Sequence, residues 1–366
     1  MRRRYTLKRT YALMSAVGLS VVATAAGWAQ SLTWLGVLPG YVGSRAFGVS
    51  ADGAVVVGEA HNASLQFRAF RWTPAGGMQD LGALGGDYSA ASGVSADGAV
   101  VVGYAYNASG QWRAFRWTAA TGMQDLGTLG GSHSVAFGVS ADGVVVGDAR
   151  NASGQDRAFR WTAATGTMVD LGTLGGNQSL ANGVSADGAV VVGWARNASG
   201  YARAFRWTAA TGMQDLGTLG GDYSAASGVS ADGAVVVGEA LNANGQYRAF
   251  RWTAAGGMED LNLTYASLLA NGSVLYGARA ISPDGRYIVG GGYNAATGRY
   301  EAFLLDTWRT GDTNGDGCVD DADLLAVLFA FGTPGTGYTR PEDINKDGVV
   351  DDADLLTVLF NFGGGC

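Results

Sequence analysis

A unit of 45 residues that returns along most of the chain constrains this sequence more than any other feature. It opens with Leu-Gly at Leu81, Leu126, Leu171 and Leu216, with a looser copy from Leu35 and a divergent one from Leu261. A repeat of this length is a supersecondary unit that cannot bury its apolar face alone, so neighbouring copies must stack. Within each unit, four strand-like runs alternate with turn signals. SAASGVS runs into the Asp97-Gly98 turn, AVVVG is apolar throughout, RAFRWT follows the NASG turn, and MQDLG closes the unit. Asp-Gly suits a tight reversal because glycine accepts positive φ. A continuous valine run suits a strand covered on both faces. Four antiparallel strands in about 45 residues is the period of one propeller blade.

The ends of the repeat region bear on closure. The last unit supplies ARAISPDG, RYIVGGGY and YEAFLLDTW but no copy of GMQDLG, whereas SLTWLG (31–36) reads as that missing fourth strand. The expectation is an all-β domain over residues 30–308: a β-propeller of about six four-stranded blades, closed by the N-terminal strand so that no sheet edge is free. An open β-solenoid is the alternative architecture. Glycine at 60 of 366 residues with only 5 prolines and 47% hydrophobics excludes both collagen and disorder.

Residues 1–29 read as a signal peptide. Five basic residues precede an apolar run from Ala12 to Ala26, and Gly27 and Ala29 frame Trp28 as small residues do before a cleavage site. The run is shorter than the roughly 20 residues of a membrane span, so the mature chain is expected to carry no transmembrane segment and to be secreted, extracellular or at a bacterial cell surface. Without the signal peptide the formal charge falls from -7 to -12, and residues 310–366 hold eleven acids against Arg340 and Lys346. The repeat body is close to neutral, which excludes a nucleic-acid surface.

The repeats form an internal alignment. Variable positions concentrate after LGG and on either side of NASG, which a four-stranded meander places at one end of every blade. There stand Tyr88, Tyr104, Tyr106 and Trp112 in one unit, and Trp194, Tyr201, Tyr223 and Tyr247 in later ones. Such aromatics could stack on a glycan or grip a peptide; unconstrained loop variation is the competing explanation. Asp97 is expected to cap its turn and the repeated arginines to pair with carboxylates between blades. The Asn-Ala-Ser triplets at Asn62, Asn107, Asn151 and Asn197 match a glycosylation sequon, but their recurrence in one turn points to turn chemistry.

The combination of GVSADG, VVVG, AFRW and DLGTLGG, over roughly residues 35–305, is similar to the extracellular HAF-repeat family of bacterial proteins. The family's His-Ala-Phe is Arg-Ala-Phe here, at Arg68, Arg113, Arg157, Arg203 and Arg248. The resemblance implies an extracellular setting.

At the C-terminus, residues 309–366 hold two calcium-loop patterns. Asp312, Asn314, Asp316, Asp320 and Asp323 occupy loop positions 1, 3, 5, 9 and 12, and Asp343, Asn345, Asp347, Asp351 and Asp354 repeat them. The carbonyls of Cys318 and Val349 fall at position 7, with Gly317 and Gly348 at the sharp-turn position. Five carboxyl or amide groups in twelve residues suit a hard cation that takes oxygen ligands, so two Ca2+ ions are expected, coupled to folding. Position 12 is Asp rather than Glu, and a helix-like run follows each loop. This loop-then-helix duplicate resembles a type I dockerin, the module that attaches secreted proteins, often polysaccharide-degrading ones, to cohesin domains. The resemblance implies a cohesin-like or other extracellular partner read by Asp321, Ala322, Asp352 and Ala353, in two equivalent orientations. The apolar helices depart from the family in lacking its Lys-Arg pair. Cys318 and Cys366, the only cysteines, suit a disulfide in an oxidising compartment; free thiols or an intermolecular link through Cys366 are the alternatives.

These features predict a secreted, non-enzymatic binding or structural repeat protein, displayed through its calcium module. The alternative is an extracellular polysaccharide-active hydrolase or lyase on a propeller. Such an enzyme needs one asymmetric pair of carboxylates, whereas the units are nearly interchangeable and no catalytic set emerges.

Overall fold

The structure is a computed structural model that describes residues 33–334, 340–345 and 347–365. The signal-peptide segment 1–29 and Cys366 lie outside that range. The repeat region is all-β: five antiparallel four-stranded sheets and one three-stranded sheet, each strand paired with its neighbour in sequence. Sheet 2 shows the pattern, with strands Gly85–Val94, Val101–Asn107, Trp112–Thr118 and Gly122–Asp125. Sheet 1 begins at Gly43, and sheets 3, 4 and 5 begin at Gly130, Gly175 and Gly220. Sheet 6 comprises Val274–Ile281, Tyr287–Asn294 and Arg299–Asp306. A short helix α1 (Leu261–Thr264) links the last two sheets.

Each sheet packs face to face on the next. Val55, Val57 and Ala69 of sheet 1 form one apolar cluster with Ala91, Val101, Ala105, Phe115 and Trp117 of sheet 2, and equivalent residues repeat the joint down the chain. The valine run is covered on both faces, as its lack of alternation requires: Val101 and Val102 are both fully buried. A polar bond locks each of the four joints among sheets 1 to 5. The Ser89 hydroxyl accepts the Ala69 amide of the preceding sheet at 2.9 Å and donates to Gly82 O at 2.6 Å. Ser134, Ser179 and Ser224 do the same. The glycine ending each valine run permits a close approach, since a Cβ at Gly103 would collide with the carbonyl of Ala90.

The turns agree with the sequence expectation in kind. Ser95 Oγ donates to Asp97 Oδ1 at 2.6 Å and the Ala99 amide does so at 3.0 Å, with Gly98 at φ 70. Asn107 Oδ1 accepts the amides of Ser109 and Gln111, so the sequon asparagines hold their own turns. The arginines depart from the expectation in part. Arg113 lies 3.6 Å from Asp125, but within its own sheet, and Arg160 and Arg206 donate to the carbonyls of Gly188 and Gly233 in the next sheet's turn. A guanidinium at that depth finds a backbone acceptor nearer than a carboxylate.

Closure by the N-terminal strand is not observed. Residues 33–38 form no strand, and Trp34 is 86% exposed. The physical reason lies in what the segment bonds instead. Gly36 O accepts the Ser44 hydroxyl, repeating the Ser89–Gly82 link, and Leu38 packs beneath sheet 1 on Ala60 and Phe70. The outward face of sheet 6 stays open: Val289 is 40% exposed, against 0% for its counterparts Val57 and Val102.

Beyond sheet 6, Arg286 holds the exit of the chain. It makes a bidentate pair with Asp306 at 2.8 Å and stacks on Tyr287 and Trp308. Helices α2 (Asp321–Ala330) and α3 (Asp352–Asn361) then pack through Val327, Ala330 and Val358 with Val319 and Val350. The two halves interlock. Val319 pairs with Gly363 and Gly364, while Val350 pairs with Gly332 and Thr333. No helix among the described residues is long and apolar enough to cross a membrane.

Replacing Ser134 by Ala strands the buried Ala114 amide and the Gly127 carbonyl. The expected cost is about 1–3 kcal/mol in urea unfolding, and a change under about 0.5 kcal/mol would contradict the locking role.

Candidate functional site: one variable cluster per sheet

The internally variable positions do not scatter. The end of the second strand and the entry of the first are bridged in each of sheets 2 to 5, as between Leu84 and Asn107, so both variable stretches sit at one end. In sheet 2, Tyr88 lies 4.8 Å from Trp112 edge to face, 5.9 Å from Tyr104 and 5.7 Å from Tyr106 (ring centroids). Trp112 also contacts Tyr104 and Tyr106. The cluster reaches into sheet 1: Tyr88 OH donates to Glu59 Oε2 at 3.2 Å, and Phe67 stacks on the Tyr88 ring. Burial, the neighbouring Tyr104 and the Glu59 carboxylate push the Tyr88 phenol upward.

In sheet 5, Tyr223 and Tyr247 meet edge to face at 5.7 Å. Tyr223 OH donates to Glu239 Oε1 at 3.2 Å, and burial together with that carboxylate pushes its pKa up to about 12. Arg279 of sheet 6 holds the other oxygen of Glu239 at 3.0 Å. Tyr247, Glu239 and Arg279 line a cleft of about 670 Å³ between sheets 5 and 6, which Tyr276 and Tyr300 complete. Sheet 4 is different. Trp194 and Tyr201 make no ring contact; Arg196 fills the space, bonding Gln178 and the Gly200 carbonyl.

Sequence reasoning named the aromatics but missed Glu59, Phe67, Arg279, Tyr276 and Tyr300. Glu59 and Phe67 stand in the same repeat columns as Tyr104 and Trp112, so reading those columns through the first unit would have found them. The sixth unit diverges too far for its tyrosines to be aligned. The same four columns in sheet 3 hold His133, Asp148, Arg150 and Asp156, a polar set where sheet 2 is aromatic.

The C-terminal loops gather their acids as the spacing predicts. Asp312, Asp323, Asp343 and Asp354 are all buried. Asp323 accepts four hydrogen bonds, from the amides of Thr313, Asn314 and Asp320 and the Thr313 hydroxyl. Asp354 accepts the amides of Ile344, Asn345 and Asp351. Asp312 accepts Gly315 and Gly317; burial raises its pKa, with Asp323 and Asp316 adding to the rise. Asp316 and Asp347 point outward, each accepting the amide two residues on. Asp320 and Asp351 cap α2 and α3. Gly317 and Gly348 adopt φ 90 and 98, the left-handed turn that position 6 demands. Two buried carboxylates per loop are the donor set that a hard cation fits.

Asp321, Ala322, Asp352 and Ala353 are exposed at the starts of α2 and α3. Beside them runs an apolar stripe, Leu325 and Leu328 on one helix and Leu356 and Leu359 on the other, each about half exposed. Cys318 is disulfide-bonded, and the pairing of Val319 with Gly363 and Gly364 brings the chain end to it.

No family model matches the chain, and no curated protein does. Among solved structures it is similar to putative TolB from Agrobacterium tumefaciens (15% identity, TM-score 0.46, 73% of this chain and 90% of that one). It is also similar to the β-propeller domain of the trilobed protease from Pyrococcus furiosus (11%, TM-score 0.49, 73% and 82%). A third likeness is TolB from Acinetobacter baumannii (16%, TM-score 0.43), where the match covers 59% of this chain and about half, 53%, of that one.

A double-mutant cycle of Tyr88→Ala and Trp112→Ala is expected to show a coupling of about 0.5–1.5 kcal/mol. The same cycle on Trp194 and Tyr201 is expected to show none; equal couplings would mean that the sheet 2 cluster is not formed.

Proposed function

We propose that this chain is a secreted, non-enzymatic binding protein. Its sheets serve as the blades of a propeller, and its C-terminal module is a dockerin-like domain that folds around two Ca2+ ions and docks onto an extracellular partner. The observation that carries the reading is the duplication of the buried-carboxylate loop: Asp312 with Asp323, and Asp343 with Asp354. Carboxylates at that depth stay ionised only with compensation, and calcium supplies it. Asp312, Asn314, Asp316, Asp320, Asp323 and the Cys318 carbonyl would hold one ion. Asp343, Asn345, Asp347, Asp351, Asp354 and the Val349 carbonyl would hold the other.

The docking surface is the start of α2 and α3 with its leucine stripe. The two halves present the same residues, so the partner meets either in the same way. The disulfide of Cys318 is assigned to Cys366, the chain's only other cysteine. The variable clusters are the ligand face, and the tyrosine-lined cleft between sheets 5 and 6 is part of it. Stacking rings beside a Glu–Arg pair suit a glycan or peptide.

Calorimetric titration of the whole chain with Ca2+ is expected to give two ions bound. Asp316→Ala and Asp347→Ala, both at exposed loop positions, should each remove one. Absence of binding up to millimolar Ca2+ would overturn the module's assignment.

For the ligand face, glycan-array or peptide retention by the whole chain should fall for Tyr247→Ala, which opens the cleft while leaving the buried joints intact. Retention unchanged by that variant would remove the cleft from the binding face.

A further inference from the structure

The variable cluster of sheet 3 differs from the others in kind. His133 stands in the first strand, Asp148 in the second, and Asp156 opens the third. His133 Nε2 lies 3.2 Å from Asp156 Oδ1 and 3.7 Å from Asp148 Oδ2, and one donor atom from each residue falls within 4.8 Å of the other two. Donors sharing one ion at bonds of about 2.0–2.2 Å stand roughly 3–3.5 Å apart, so small side-chain adjustments would bring all three onto one ion.

Asp148 is the second observation. It is only 8% exposed, and its carboxylate accepts no hydrogen bond; the His133 ring lies 3.7 Å from it. A carboxylate is not normally buried in that state. Burial, with the nearby Asp156, pushes its pKa up to about 7. Arg150 opposes that rise only in part. Its guanidinium pairs with Asp156 at 3.0 Å and stands more open to solvent, as an outer partner that orients a ligand does. Arg113 of sheet 2 also acts on the His133 ring, but it lies 3.6 Å from a carboxylate of its own sheet, Asp125.

We propose that His133, Asp148 and Asp156 bind a divalent first-row transition-metal ion at the mouth of sheet 3. The donor set selects the class. One imidazole with two carboxylates suits Zn2+, Mn2+ or Co2+ rather than Ca2+ or Mg2+, which take oxygen ligands. Three protein donors leave the ion an open position toward the variable face, where a ligand oxygen can reach it. No other sheet combines these residues: the equivalent columns hold Tyr88, Tyr104 and Trp112 in sheet 2 and Gln178, Trp194 and Ala202 in sheet 4. The site is independent of the calcium module, which lies in another part of the chain.

The test is Co2+ titration of the whole chain in saturating Ca2+, read by visible absorption, with Zn2+ as the competing ion. One equivalent of Co2+ is expected to give a ligand-field spectrum that Zn2+ abolishes. His133→Gln installs the residue that sheet 4 carries in the same column, and Asp148→Asn keeps the shape of its side chain. Each should weaken binding by more than the about 10–100-fold that loss of an outer partner costs. No spectrum, or a spectrum unchanged in either variant, would overturn the proposal.

Discussion

The architecture of the repeat region rests on one joint between neighbouring sheets. A serine hydroxyl at the start of one sheet satisfies a buried amide of the sheet before it, as Ser134 does for Ala114. Around this bond the valine run, the Phe115-type ring and the glycine that lets strands close up form a dry contact. An unpaired buried amide costs more than the bond itself gains, so the serine fixes the position of each of sheets 2 to 5 on the one before. Because the joint is repeated, errors in one sheet would be carried to its neighbours, and the near identity of the units follows from that coupling.

The joint also explains why variation is confined to one end. Residues whose side chains enter the joint cannot change without disturbing two sheets at once. Tyr88, Tyr104, Tyr106 and Trp112 lie beyond its edge, where the second and third strands turn, and they are held by one another. The result is a constant frame carrying an aromatic cluster in sheet 2, a histidine–carboxylate cluster in sheet 3, an arginine-centred one in sheet 4 and a tyrosine-lined cleft at sheet 5. Fixed scaffold and exchangeable surface are the usual division between stability and recognition.

The C-terminal module solves a different problem. With fewer than 60 residues it has, among the described residues, a core of five buried apolar side chains, little for a domain of that size. Its two halves compensate by crossing over: each loop ends in a strand-like pair with the segment after the other half's helix. Buried aspartates organise the loop backbones directly, Asp323 through four hydrogen bonds, so the groups suited to a cation also shape the loop.

Much of this was legible in the sequence. The period, the four strands per unit, the turn roles of Asp97 and Asn107, the two loops and their following helices all depend on local chemistry: glycine at positive φ, side chains that bond the next amides, and runs too apolar to be exposed. Only the tertiary structure decided the rest. Whether residues 31–36 complete sheet 6 turns on competing long-range bonds, and the described part of that segment sides with sheet 1 through Gly36 and Leu38. That Arg160 and Arg206 meet backbone carbonyls depends on the depth of the next sheet's turn. The pairing of Glu59 with Tyr88, and the meeting of His133 with Asp148 and Asp156, join residues 15 to 29 positions apart. Strand pairing and sheet stacking bring such groups together, and no local pattern records which of them will touch.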